Sequence, residues 1–318
     1  MHINHDITEN SEKSIRELIE QKRQQRNFKE MFEKSIPTFL FLIASISILT
    51  TIGIIYTLLS ETIEFFKRVP MTDFFTGTVL KPLSQTPEFG VLPLIMGTLT
   101  SSVIAMLVAA PIGLMSAIYL SQYASDKVRK VFKPLLELLA GIPTIVYGFF
   151  AFTFVTPLLR QLIPGLEATN ILSPGIVMGV MIIPMIASLS EDAMSSVPNS
   201  MREGALGLGA TKLEVTRKVV IPAALSGIIA SFVLGISRAI GETMIVTIAS
   251  GSTKNFTFDI TQSMQTMTAY IVEVTGGDAA TGSTIYYSLY AVAMTLFVFT
   301  LLMNLLARRI SRKFREEY

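Results

Sequence analysis

The chain has 318 residues, half of them hydrophobic, with a mean hydropathy of +0.54 and a net charge of +2. Only 16% of residues are charged, which excludes an ordinary soluble domain and points to a protein that crosses a membrane repeatedly. Cysteine is absent, and both histidines, His2 and His5, lie in the polar N-terminal tail, so disulfides, thiolate or histidine metal sites and Ser-His-Asp chemistry are all excluded.

Residues 1–35 form a polar tail in which seven lysines and arginines between Lys13 and Lys34 are interleaved with glutamates. From Ser11 to Lys34 the pattern fits an amphipathic helix on the membrane surface or, equally, a solvated charged tail. The apolar run that follows is too long for the h-region of a signal peptide, and no cleavage site ends it. Residues 36–59 are therefore the first predicted span. The polar loop 60–91 comes next, and its Phe65, Phe66, Phe74 and Phe75 suit the membrane interface.

Residues 92–307 carry five more predicted spans. Span two is Leu92–Leu120, with Pro93 at its start and Pro111 inside. A short basic loop, 121–133, leads to span three, Leu135–Pro157, in which Gly141 and Pro143 are break points. Gln161–Asn170 is an exit loop. Span four, Leu172–Ser190, contains Pro184 and Gly175-x-x-x-Gly179, a spacing that permits close helix contact. Span five is Ile221–Ala249 and span six is Thr284–Ala307. A polar loop rich in Gly, Thr and Ser, 250–283, lies between them, and a basic tail, 308–318, ends the chain. The expected class is an all-α polytopic membrane protein.

Between spans four and five, residues 199–222 interrupt the apolar pattern. Ser200-x-x-Glu203 and Thr211-x-x-Glu214 have the form of capping boxes, and Gly209 can adopt the left-handed conformation that ends a helix. The expectation is two short helices joined at a glycine and carried outside the membrane. Their outer faces would combine Ala205, Leu206 and Leu208 with Glu203, Lys212 and Arg217. A folded knob of mixed polarity is a docking device more often than a connector.

Six spans place both termini on one side. The tails, 121–133 and 191–220 together hold twenty lysines and arginines, against five in 60–90, 158–171 and 250–283. The positive-inside rule puts the tails and the knob in the cytoplasm. No phosphate-binding loop occurs, since Gly209-Ala-Thr-Lys212 lacks the spacing, so the chain is not expected to be an enzyme and any ATP drive must come from a partner. No cofactor is expected.

Span five holds two charges, Arg238 and Glu242, four residues apart and hence expected on one helical face. Counted from Ile221 along a continuous helix, Arg238 lies ~25 Å in, beyond the midplane of a ~30 Å core. A charge at that depth costs about 2.5–3.5 kcal/mol on insertion scales, so the two should pair or face water. In one reading Arg238 meets an anion crossing the membrane, its guanidinium fork matching phosphate oxygens, and Glu242 holds it in the resting state. The other is a fixed ion pair between packed helices. Glu137 and Asn304, near the cytoplasmic ends of their spans, are expected to snorkel or bond to backbone, and Glu191 and Asp192 to be solvated helix-end charges.

The knob also carries a resemblance. Glu203-Gly204-Ala205, three residues, Gly209, nine residues, Val219, one residue, then Ile221-Pro222 resembles the EAA loop of ABC importer permeases, departing conservatively at Gly204, Val219 and Ile221. In that family the loop forms coupling helices seated in a cleft of the cytoplasmic ATPase. Arg-Ala-Ile-Gly-Glu-Thr-Met at 238–244, Leu-Glu-Leu-Leu-Ala-Gly-Ile-Pro-Thr-Ile-Val-Tyr-Gly-Phe-Phe at 136–150, Pro-Ile-Gly-Leu-Met-Ser-Ala-Ile-Tyr-Leu-Ser at 111–121 and Gln265-Thr-Met-Thr-Ala-Tyr270 are together similar to phosphate permeases of that class. The resemblance covers about residue 36 to the end. It implies a MetI-like type I importer fold in the plasma (inner) membrane and a role for Arg238 and Glu242 in substrate translocation. It also implies coupling to the ATPase through Glu203, Gly204, Ala205, Gly209 and Pro222. The implied partners are a PstA-like sister permease, a PstB-like ATPase dimer and a PstS-like extracytoplasmic phosphate-binding protein, with inorganic phosphate as solute. Arg238 does not itself separate phosphate from sulfate or molybdate. An ion-coupled secondary transporter is a further alternative, against which stands the lack of an obvious internal repeat.

Overall fold

A computed structural model describes the backbone of residues 3–277 and 279–313, and the side chains of 35–277, 279–306 and 309. The helices are α1 (Ile3–Phe66), α2 (Met71–Thr76), α3 (Leu92–Ile118), α4 (Asp126–Ala140), α5 (Thr144–Phe150), α6 (Thr156–Leu162), α7 (Leu172–Ser195), α8 (Asn199–Gly207), α9 (Lys212–Val215), α10 (Ile221–Ala223), α11 (Leu225–Ile240), α12 (Met244–Ala249), α13 (Met267–Gly276) and α14 (Thr284–Lys313). A short antiparallel hairpin pairs β1 (Leu80–Lys81) with β2 (Glu88–Phe89). Among the described residues, five helices are long and apolar enough to cross a membrane, or six if the pair Lys212–Ala223 and Leu225–Ile240, bent by 69°, counts as one span.

The chain divides into two units, Met1–Thr57 and Leu58–Tyr318. In the first, the backbone is helical from Ile3, and the apolar side chains from Ile36 to Tyr56 are exposed. The surface-lying face expected for 11–34 falls outside the described side chains. In the second unit the centre is the α3–α7 pair. Ser101, Ala105, Ala109, Gly113 and Ala117 recur every fourth residue on α3 and are all buried. Small residues at this spacing let two helix backbones approach, which is how helices associate where lipid supplies no hydrophobic drive. Facing them, Gly175 sits against Ile104 and Gly179 against Val108 and the Ala105 carbonyl. A buried hydrogen bond of 2.8 Å between the Ser190 and Ser231 hydroxyls ties α7 to α11.

Two further apolar clusters cap the ends. Phe65, Phe74, Leu80, Phe89, Leu94, Met267, Tyr270 and Val274 form one. Ala117, Met194, Val197, Val215, Val220, Ala224 and Ile228 form the other, beneath the knob.

Several boundaries differ from the sequence expectation. α1 runs on to Phe66, past Leu59, and Phe65 and Phe74 are buried in the first cap rather than placed at the interface, while Phe75 is exposed. The basic loop 121–133 is largely helix: α4 takes in Asp126–Ala140 and so absorbs the predicted start of span three. The span itself begins at Thr144, because Pro143 sits in extended backbone and separates the two helices. The loop 250–283 is a folded segment, not a solvated connector. Met264, Gln265, Thr266 and Met267 are buried, and the Met267 N–H donates to Thr98 Oγ1 at 3.0 Å. Gly97 makes room for it, since a Cβ there would lie 2.3 Å from the Gln265 carbonyl oxygen.

Span five departs most. It bends after Pro222 and breaks again between Ile240 and Met244. Arg238 therefore lies about 20 Å along α11, not at the end of one long helix. Proline has no N–H to return to the carbonyl four residues back. The turn ahead of Pro222, residues 216–220, widens to π-helical spacing, and the same occurs at 151–155 ahead of Pro157.

Gly179→Leu should cost about 1–3 kcal/mol, the range for overpacking a filled interface. The check is the thermal midpoint of the detergent-solubilised protein, with Gly276→Ala, where a Cβ meets nothing within 4 Å, as the neutral comparison.

Candidate functional site

The site is built on the second break of span five. α11 ends at Ile240 and the chain turns through Gly241, Glu242 and Thr243 before α12. Backbone groups released inside a membrane must find partners within the protein. Here Glu242, 8% exposed, supplies them: its Oε1 accepts from the N–H of Met244 at 3.1 Å and of Ile245 at 3.4 Å. The Thr268 hydroxyl in turn donates to the Glu242 carbonyl at 2.8 Å. The stretch Gln265–Tyr270 thus packs against the break.

This arrangement changes the relation of the two charges. Because α11 stops between them, Arg238 and Glu242 do not share a helical face, and among the described residues no ion pair joins them. The guanidinium makes a 3.9 Å contact with Met181 Sδ and meets no oxygen acceptor among the described residues. Both residues nonetheless line one cavity of about 380 Å3, with Thr144, Ser237, Gly241, Thr243 and Met244. A planar fork of donors beside three hydroxyl-bearing side chains is suited to a tetrahedral oxyanion. Ser237 is oriented from span six, where its hydroxyl donates to Asn304 Oδ1 at 2.7 Å, so Asn304 bonds a side chain rather than backbone.

Arg238 also forms one end of a second cavity, of about 470 Å3, whose other end carries Lys133, Glu137 and Glu191. Glu191 is not a solvated helix-end charge. It is 4% exposed and is met by Lys133 at 2.9 Å, by Arg129 at 3.7 Å and by the Ser195 hydroxyl at 2.9 Å. The sequence carries a trace of this, a glutamate closing an apolar span soon after a cationic loop, but the burial comes only from α4 lying along α7.

The knob folds as two short helices. Its first capping box does not form: α8 already starts at Asn199, after Pro198, so Ser200 lies inside the helix rather than at its cap, and no side chain caps it. The second does, Thr211 and Glu214 each accepting from the other's backbone N–H. Those bonds and Lys218 lower the Glu214 carboxyl to about 2. A depressed carboxylate stabilises above its unfolded value and loses that contribution as pH falls through the folded one, so this cap is constant across neutral pH. Gly209 has φ +86°, and nothing lies within 4 Å of where its Cβ would be. Glu203, Gly204, Gly209 and Pro222 are exposed, while Ala205 packs against the second end cluster. Leu208 is 91% exposed, and Leu213, absent from the sequence expectation, 66%. The knob and the Arg238 cavity are thus separate places, linked through α10 and α11.

Residues 109–316 match the family model described as binding-protein-dependent transport system inner membrane component. The chain is 34% identical over 305 residues, 94% of its length and 96% of the relative's, to a probable ABC transporter permease protein, YqgH, of Bacillus subtilis. It is 35% identical over 255 residues, 74% of this chain and 76% of the other, to the phosphate transport system permease protein PstC of Mesorhizobium japonicum. Similarity to the PstC of Haemophilus influenzae is 31% over 263 residues, 76% and 82% of the two chains. Among solved structures, a chain of a bacterial alginate ABC transporter superposes with a TM-score of 0.61 at 17% identity, covering 87% of this chain and 96% of that one. A chain of the inward-facing MetNI methionine ABC transporter gives 0.53 at 16% identity, covering 71% and 95%. The last two comparisons speak for the fold alone. Together with the broken span, the packed core and the exposed knob, the matches make the chain a multi-pass membrane protein belonging to the inner-membrane permease family of binding-protein-dependent ABC importers.

Proposed function

We propose that this chain is a translocation-path subunit of an ATP-driven importer of inorganic phosphate. The observation that carries the reading is Arg238: a guanidinium on a broken membrane span, lining a cavity with Thr144, Ser237 and Thr243 and meeting no oxygen acceptor among the described residues. Relatives named as phosphate permeases support the choice of solute. The twenty-to-five excess of basic residues supports a cytoplasmic knob and cytoplasmic termini in the plasma membrane.

In this reading a sister permease closes the far side of the cavity, and an ATPase dimer docks on Glu203–Gly209. Binding of ATP draws the two knobs together and turns the cavity outward, and hydrolysis resets it. ATP supplies the differential affinity that shifts between the two states. The phosphate-binding protein docks on the opposite end. A groove of about 700 Å3 there is lined by Arg68, Asp73 and Glu88 among others. Arg68 donates to the Gly282 carbonyl at 2.8 Å and lies 4.5 Å from the Tyr287 ring centre, which staples the two outer loops together. Reconstitution with the candidate ATPase, sister permease and receptor tests the whole: hydrolysis should rise with phosphate-loaded but not sulfate-loaded receptor, and uptake should require internal ATP. Uptake without ATP would end this reading.

Arg238→Gln should abolish phosphate uptake while the complex still assembles, whereas a structural role predicts that assembly fails. Glu242→Gln keeps an oxygen for the Met244 and Ile245 N–H groups and should preserve stability. Glu242→Ala leaves them unpaired and should cost about 1.5–3 kcal/mol, read from thermal unfolding. Leu208→Asp with Leu213→Asp should weaken co-purification of the ATPase about tenfold, since charges in a docking cleft are costly to desolvate, and should leave the thermal midpoint of the permease unchanged.

A further inference from the structure

Helix α4 is attached to the bundle in an unusual way for an amphipathic helix: none of its residues is buried. Val131, Phe132, Leu135, Leu138 and Leu139 are all exposed. What holds it is polar. Arg129 donates to the carbonyls of Leu120 and Ser121, and Lys133 Nζ reaches Glu191 and Asp192 at 2.9 Å each. At its far end the Leu139 carbonyl accepts from the Tyr147 hydroxyl, just before the Gly141–Pro143 break. α4 also forms one wall of the 470 Å3 cavity, through Lys133, Leu136, Glu137 and Ala140. The facing wall is a single stripe of α7: Met181, Pro184, Met185, Ser188 and Glu191. That stripe starts at the residue touching Arg238 and ends at the residues gripping Lys133, ten positions or ~15 Å away.

We propose that Lys133, held by Glu191 and Asp192, is a releasable clasp that positions α4 against span four and so sets how far the cavity beside Arg238 opens at its knob-side mouth. The clasp rests on the transport reading only for its sidedness. Ion pairs suit such a joint, because partly exposed pairs bind weakly and exchange partners readily, whereas a packed apolar face does not. The asymmetry between the carboxylates fits the role. Glu191 is buried and stays with α7, whereas the Asp192 side chain is 58% exposed and is the partner most easily given up. Hydrogen bonds first to Asp192 and then to Glu191 hold the Lys133 ammonium above the ordinary lysine value, so it remains charged at any physiological pH and the clasp answers to geometry rather than to protons.

The test uses the absence of cysteine from the chain. Ser188→Cys places the subunit's one thiol inside the cavity wall, and its reaction with a membrane-impermeant maleimide is timed in inverted vesicles containing the whole complex without nucleotide. Lys133→Ala and Asp192→Asn should each speed labelling at least about threefold, the scale of losing a partly exposed ion pair. Lys133→Arg should restore the original rate. Asp192→Asn leaves buried Glu191 paired, and it carries the test if Lys133→Ala fails to assemble. Equal labelling rates in the parent and Asp192→Asn complexes would overturn the proposal, as would failure of Lys133→Arg to rescue an assembled Lys133→Ala effect. A separate Lys127→Cys control on exposed α4 reports which face carries the helix, so an error of sidedness, which belongs to the transport reading, shows itself independently.

Discussion

The structure depends on how one break in span five is satisfied. A helix that stops inside a membrane leaves N–H and carbonyl groups that lipid cannot bond, and they must be met from within the protein. Glu242 does so by giving Oε1 to two N–H groups, while Thr268 covers its carbonyl. A carboxylate committed to backbone is a poor counter-charge for a neighbouring side chain. Arg238 lines two cavities and, among the described residues, has a thioether and no oxygen acceptor against it. The same interaction therefore repairs the backbone and leaves a cation available.

The rest of the second unit holds that break in place. The buried small residues of α3 bring α7 close, and α7 supplies both Met181 beside Arg238 and Glu191 at the opposite end of the cavity. The Thr98 hydroxyl fixes the Met267 N–H, and the helix that starts there carries Thr268 to Glu242. At the other end, Val215 and Val220 anchor the knob in a cluster with Met194, Ala224 and Ile228. The knob and Arg238 are joined along the chain by the bent α10–α11 pair.

Much of this was legible in the residues. Long apolar runs require spans, and Gly209 with Thr211-x-x-Glu214 writes the turn and second cap of the knob. Gly175 and Gly179 announced close helix contact, and they make it. These are local or statistical properties, set by hydropathy, backbone freedom and nearest-neighbour hydrogen bonds.

What the residues could not state were outcomes of competition at a distance. Apolar continuity from Leu135 hid the independence of α4, because exposure to lipid and burial in a core look alike in a hydropathy profile. The four-residue spacing of Arg238 and Glu242 implied a shared face only if the helix continued, and Thr268, 26 residues away, helps decide that it does not. Ser200 lost its expected capping role to Pro198. Glu191 became buried only once Arg129 and Lys133 were brought to it from another helix. The sequence by itself determined the number and character of the membrane-crossing elements and the form of the knob. Tertiary structure alone decided which charges are spent on the protein and which stay free, since that depends on which donors and acceptors the packing brings within hydrogen-bonding distance.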